Sequence, residues 1–226
     1  MRSYTLVQAS IDRPNIHLSV ERRLSNLDPY LSYEEIIQPL ATQLKAEKEK
    51  FPLTIVYVRS KFWCGEVYEM IREILGSEQY HTITEKPNVT HRLFAQYHAK
   101  TTTETQQAIV SLLTAKEPKM RLVVGTTALG MGLNVRSLAR VIHIRPPSNL
   151  VAYFQQVGRA GRNGEPCNAI LYYNQSDVAE KTMQDNMKTY CTADKCLRKM
   201  IIDYFGSTLS DDHVAERCCS VCDKTA

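Results

Sequence analysis

Two arginines three residues apart, Arg159 and Arg162, stand in the segment QQVGRAGRNG at 155–164. That spacing can put both on one face of a helical turn, and a planar guanidinium fork suits phosphate oxygens. Gly158, Gly161 and Gly164 let the backbone approach a ligand closely. The plainer reading of the same segment is a glycine-loosened surface loop with two solvated arginines. Upstream, VVGTTALGMGLN (123–134) is an apolar run ending in a Gly-Thr-Thr turn. Small hydroxyls and free backbone N–H groups at a strand end make a phosphate cradle. An ordinary strand-to-helix turn has the same composition. The third chemical feature is sulphur. Five of the seven cysteines fall from residue 191 onward, and Cys219 and Cys222 form a Cys-x-x-Cys. That spacing lets two thiolates grip one Zn²⁺.

These residues need elements to hold them. TIVYV (54–58), RLFAQYH (92–98), RLVVGT (121–126), ARVIHI (139–144) and NAILYY (168–173) read as buried strands. Between them run segments of helical period. Trp63, Val67, Met70, Ile71 and Ile74 share one face before Gly76 stops the helix. Ala108, Ile109, Leu112 and Leu113 turn inward from a helix over 104–113, and a further helix spans 150–157. Strands alternating with helices imply a mainly parallel sheet covered on both faces, with sites at the carboxyl ends of its strands. Before residue 50 the pattern offers only a charged, partly amphipathic helix over 32–50, in which Pro39 is awkward. After Tyr173 the composition turns polar. A clean helical period then carries Leu197, Met200, Ile201, Tyr204 and Phe205 up to Gly206. The boundary between the sheet domain and a cysteine-bearing helical subdomain is placed near residue 175.

Composition narrows the partners. The 226 residues are 43% hydrophobic and 23% charged, the profile of a globular chain rather than a disordered one. No run reaches the ~18 apolar residues that cross a bilayer. The first twenty residues lack the features of an export signal, so a nuclear or otherwise intracellular place is expected, without disulfides. A net charge of +4 makes the chain no polycation, so nucleic-acid contact must come from local placement of Lys and Arg. Cys64 and Cys167 read as core thiols, Phe62 and Trp63 as core aromatics, and His17, His81 and His91 as surface or packed residues.

Order changes the odds on the glycine-rich segments. IVYVRS (55–60), YHAK (97–100), VVGTTALGMGLN, RVIH (140–143) and QQVGRAGRNG follow one another, each at or just after the end of an expected strand. This succession resembles the second RecA-like domain of superfamily-two helicases, and specifically the RecQ family of DNA helicases. The resemblance runs from about Asp12-Arg13-Pro14-Asn15 to the C-terminus, nearly the whole chain. It implies an α/β fold: a RecA-like parallel sheet with helices on both faces over 1–175, then a small helical zinc-binding subdomain over 176–226. It assigns Arg59 and Ser60 to the fourth helicase motif, and Gly125, Thr126 and Thr127 to the fifth. Together with His98 these would face DNA. Arg159 and Arg162 fall in the sixth motif, with Arg162 as the arginine finger. Gln155, Gly132 and Asn134 go to the ATP side of the site. The family's 3′-to-5′ direction, and its work in DNA repair and recombination, come with the resemblance.

By the same resemblance Cys196 opens the zinc-subdomain helix, with Cys219 and Cys222 as later ligands. The family's last ligand position falls on Thr225, which leaves Cys218 as the first substitute, and His213 and Cys191 as others. Three acids common in the family are amides here, Asn134, Asn163 and Gln156. Each loses a charge that could orient an arginine or a ribose hydroxyl while keeping a hydrogen-bonding oxygen. Nowhere in the sequence is there a GxxxxGK[ST] loop or an Asp-Glu-x-His box. The expectation is therefore half of a site for ATP with Mg²⁺. Its other wall would lie on a first RecA-like domain, upstream or in trans, and the chain would not turn over ATP alone. A non-catalytic DNA- or protein-binding helicase remnant and half of an RNA helicase are the alternatives.

Overall fold

The computed structural model describes residues 11–82, 87–130, 135, 137–208 and 218–224. Six strands form one sheet: β1 (Ile16–Arg22), β2 (Thr54–Val58), β3 (Phe94–Tyr97), β4 (Leu122–Gly125), β5 (Arg140–Ile144) and β6 (Cys167–Tyr173). Their spatial order is β1-β6-β5-β2-β4-β3, and every pairing is parallel. Parallel neighbours need crossovers, and helices covering both faces supply them. This is the RecA-like α/β architecture expected from the motif order.

All five residues of β2 are buried, as a central strand of such a sheet requires. Their side chains alternate between two cores. Val56 and Val58 face α1 (Pro29–Glu47) and α2 (Lys61–Leu75). Ile55 and Tyr57 join the opposite core, with α3 (Thr103–Thr114) and α4 (Leu150–Val157). That second core also takes in Met187 and Tyr190 of α6 (Asp185–Cys191) and Leu197 and Ile201 of α7 (Leu197–Tyr204). A single turn, α5 (Gln175–Val178), joins the sheet to these C-terminal helices.

Several local expectations need correction. Strand β1 lies where the sequence offered none, because IHLSVER alternates only weakly and finds its partner, β6, far along the chain. Helix α1 begins earlier than expected, capped by Asp28 with Pro29 in its first turn, and continues through Pro39. Pro39 and Glu35, whose carbonyl loses its helical partner, both lie on the exposed side of the helix. Phe62 is no core residue: it is 55% exposed and meets the edge of Trp63, which is itself only half-buried and stacks on Tyr33. Position 62 lies on the first turn of α2, where only a narrow stripe faces the sheet. Cys64 and Cys167 are core thiols as expected, both pushed up to about 11 chiefly by burial.

Candidate functional site

The carboxyl ends of three neighbouring strands carry the residues assigned to nucleic acid. Arg59 and Ser60 follow β2, His98 follows β3, and Thr126 and Thr127 follow β4. Ser60 is committed as the N-cap of α2, its hydroxyl accepting from the Trp63 amide. His98 accepts the Lys100 N–H at Nδ1, and its pKa is lowered by burial and by the nearby Lys61 charge. The Thr126 amide donates to Tyr97 O at 3.1 Å, and Thr127 is exposed.

Beside these ends opens a cleft of about 300 Å³ lined by Tyr57, Arg59, Thr127, His143, Arg145 and Gln156, among others. Its rim is a charge network that sequence reasoning did not foresee. Asp177, on α5, is buried and bridged by both Arg23 and Arg145; Glu180, one turn on, takes Arg145 and Arg59. Arg145 is held at φ +87°, a left-handed backbone that costs a non-glycine residue about 1–3 kcal/mol. Arg59 is therefore paired with an acid rather than free-standing.

At the floor of the cleft, His143 is buried and meets Gln156 at 2.7 Å. Desolvation pushes its pKa down to about 4, against a smaller upward pull from the Gln156 hydrogen bond. Gln156 stands where the resembled family often has glutamate, and a charged partner there would favour the imidazolium. With the amide, His143 stays neutral when folded and takes a proton near pH 6.5 when unfolded. Stability is thus lost as pH falls from about 6.5 towards 4. Denaturant titrations at pH 7 and pH 5 should differ by roughly 2 kcal/mol more in the native chain than in His143→Asn.

The arginine segment runs on from α4. Arg159 is half-buried, and its charge acts on Tyr57, a cleft residue whose phenol burial nonetheless pushes up to about 12. Arg162 is exposed. Gln155 is exposed, whereas its neighbour Gln156 is the one turned inward. Gly132 and Asn134 lie outside the described residues. The loop is clamped from the far end of the chain: Arg13 donates to the carbonyls of Gly158 (3.4 Å), Ala160 (3.0 Å) and Gly161 (2.6 Å). Asn15 donates to Gly161 O at 2.8 Å and Glu165 O at 2.9 Å. Nothing in the local pattern around Asp12-Arg13-Pro14-Asn15 announces that role.

The cysteines converge. The Sγ atoms of Cys196, Cys218, Cys219 and Cys222 all lie within 4.8 Å of one another, with Cys196–Cys218 at 3.4 Å and Cys219–Cys222 at 3.5 Å. Four thiolates about 2.3 Å from a Zn²⁺ stand roughly 3.8 Å apart, so the set fits that ion. Adjacent Cys218 and Cys219 both reach it because 218–220 runs beside β1, hydrogen-bonded to Leu18, before turning back at Val221. Cys219 is the thiol that most readily ionises: Cys218 donates to it, and the backbone amides of Cys222, Leu197 and Val221 support the charge. Cys191 is buried outside this group, and His213 and Thr225 lie outside the described residues. Among the described residues no helix is long and apolar enough to cross a membrane.

Comparison with known proteins agrees with this arrangement. The family model described as helicase conserved C-terminal domain matches residues 35–164, and the one described as RecQ zinc-binding matches 171–224. A protein of Acanthamoeba polyphaga mimivirus named as an ATP-dependent RNA helicase is 29% identical over 94% of this chain and 36% of its own length. The ATP-dependent DNA helicase RecQ of Haemophilus influenzae is 25% identical over 94% of this chain and 32% of its own. The chain thus spans about a third of the length of these relatives. Among solved structures, the Mycobacterium smegmatis helicase Lhr bound to ssDNA and AMP-PNP shares the fold. Its TM-score is 0.56 at 19% identity, over 82% of this chain and 22% of that one.

Proposed function

The chain belongs to the helicase conserved C-terminal domain family and is the C-terminal region of a RecQ-type helicase, and from that premise we propose that it works as the second motor lobe of an ATP-dependent DNA helicase moving 3′ to 5′. The observation that carries this reading is the arrangement at the sheet's carboxyl rim. Strand ends bearing Arg59, His98, Thr126 and Thr127 lie beside a cleft, and the charge of Arg159, which opens the arginine loop, acts on Tyr57 in that cleft.

In this reading the strand ends grip the nucleic-acid backbone, which gives affinity without choice of sequence. Bound ATP, with its Mg²⁺, supplies the phosphoryl group. A first lobe carrying the phosphate-binding lysine and the acids forms the opposite wall. Arg162, exposed on its clamped loop, reaches the γ-phosphate and neutralises charge developing there, while Arg159 supports it from the cleft side. Gln155, Gly132 and Asn134 serve the nucleotide. Zinc, held by Cys196, Cys218, Cys219 and Cys222, supplies a structural cross-link and no step of the reaction. A place in the nucleus, and in DNA repair and recombination, goes with this reading.

Turnover decides it. In a polypeptide that joins this chain to a first lobe, Arg162→Ala should lower kcat by about 10³-fold or more with little change in ATP binding. The isolated chain should hydrolyse no ATP. A variant that keeps its kcat, or a chain active by itself, overturns the assignment. The viral relative's name favours one second reading, an RNA motor. Preference for duplex RNA over duplex DNA in a binding titration would move the assignment there.

A further inference from the structure

We propose that Arg198 and Arg13 form a relay through which metal occupancy of the four-cysteine site sets the position of the arginine loop, Gly158–Gly164. The proposal rests on the reading of the cysteines as a metal site, and stands whether or not Arg162 meets ATP.

The contacts are continuous. Arg198, on the second residue of α7, is buried, and it follows Cys196 by two positions. Its guanidinium donates to the carboxylate of Asp12 at 3.0 Å, to the carbonyls of Arg13 (2.6 Å) and Ile16, and weakly to Cys218 O at 3.5 Å. It is therefore placed between two of the converging sulphurs' own chain segments and the backbone that carries Arg13. That backbone leads straight into β1, whose Leu18 exchanges hydrogen bonds with the stretch 218–220. From there the Arg13 side chain crosses to the three carbonyls of the loop. A planar fork that saturates carbonyls at fixed positions leaves little play between donor and acceptor segments. A charge as buried as Arg198 cannot drift without losing partners, at a penalty larger than an ordinary hydrogen bond. When Cys196 and Cys218 are drawn onto one ion, Arg198 is fixed; when they are released, the segment bearing Arg13 loses its anchor. The loop amides then exchange faster, because Ala160 and Gly161 donate to Val157 O and Leu138 O in the closed loop and must open to exchange.

The test is amide hydrogen exchange on the full chain, with zinc content measured in parallel. In zinc-loaded native protein, Ala160 and Gly161 should be protected. Arg13→Ala should speed both by at least about 5-fold, the lower end of site-to-site couplings. It should leave zinc content and the exchange of Ile55 and Val56 in β2 unchanged. Arg13→Lys, which keeps the charge but not the fork, should fall between. Chelation of the native protein should speed the same loop amides, and in Arg13→Ala it should add less than about 2-fold to them. Loop exchange unaffected by Arg13→Ala at full zinc occupancy overturns the relay, and so does an undiminished chelation effect in that variant. Neither result touches the assignment of Arg162, which turnover tests separately.

Discussion

Alanine at Gly161 is expected to destabilise the protein by about 2–5 kcal/mol and to free the arginine loop from its clamp. The backbone there has φ +57°, where a side chain costs about 1–2 kcal/mol. Space is also lacking: a Cβ would stand 2.3 Å from Asn15 Nδ2, 2.7 Å from Cys167 Sγ and 3.0 Å from Glu165 O. Two of those neighbours cannot yield cheaply. Cys167 is core and begins β6, and Asn15 is held by two carbonyls, one of them Gly161's own. Overpacking adds about 1–3 kcal/mol on top of the backbone strain. Gly164 provides the internal comparison, since its φ is +85° with nothing within 4 Å of a Cβ. Gly164→Ala should therefore show the strain alone. Urea unfolding of the two variants reads the difference, and equal losses would mean that the loop is not tightly packed against Asn15.

Loss of Cys219 should have the larger effect. Structural zinc contributes on the order of 10–16 kcal/mol in zinc-finger peptides, comparable with the whole stability of a typical domain. Here α6 and α7 also share the apolar core of the sheet, so part of the fold can survive without the ion. Cys219→Ala should abolish zinc retention and lower Tm by more than about 10 °C, since each kcal/mol moves a chain of this size by about 2–4 °C. Cys191→Ala, a buried thiol outside the sulphur cluster, should keep its zinc and lose only a few degrees. A Cys219→Ala protein that binds one zinc per chain would exclude Cys219 from the site.

Much of the architecture was legible because it is written in local periods. Buried runs such as TIVYV and RLVVG can only be central strands, and the glycine-ended helical stripe from Trp63 to Ile74 can only cover one face. Phe62 shows the limit of that reasoning. Its apolar character suggested the core, yet its angular position on α2 turns it to solvent. β1 shows another: an edge strand with only two of its seven residues fully buried carries too weak an alternation to stand out, and only pairing with β6 makes it a strand.

Amino-acid order alone carries the strand–helix alternation, the succession of the glycine-rich motifs and the crowding of thiols from residue 191 onward. All of these are consequences of residue type at short spacing. Tertiary structure alone decided that Cys218 joins its neighbour in one sulphur cluster, that Arg59 is held by Glu180, and that Arg13 grips the arginine loop from 148 positions away. Contacts across such separations leave no periodic trace, because hydrogen bonding between distant backbone segments depends on where the packed sheet delivers them and not on what lies beside them in the chain.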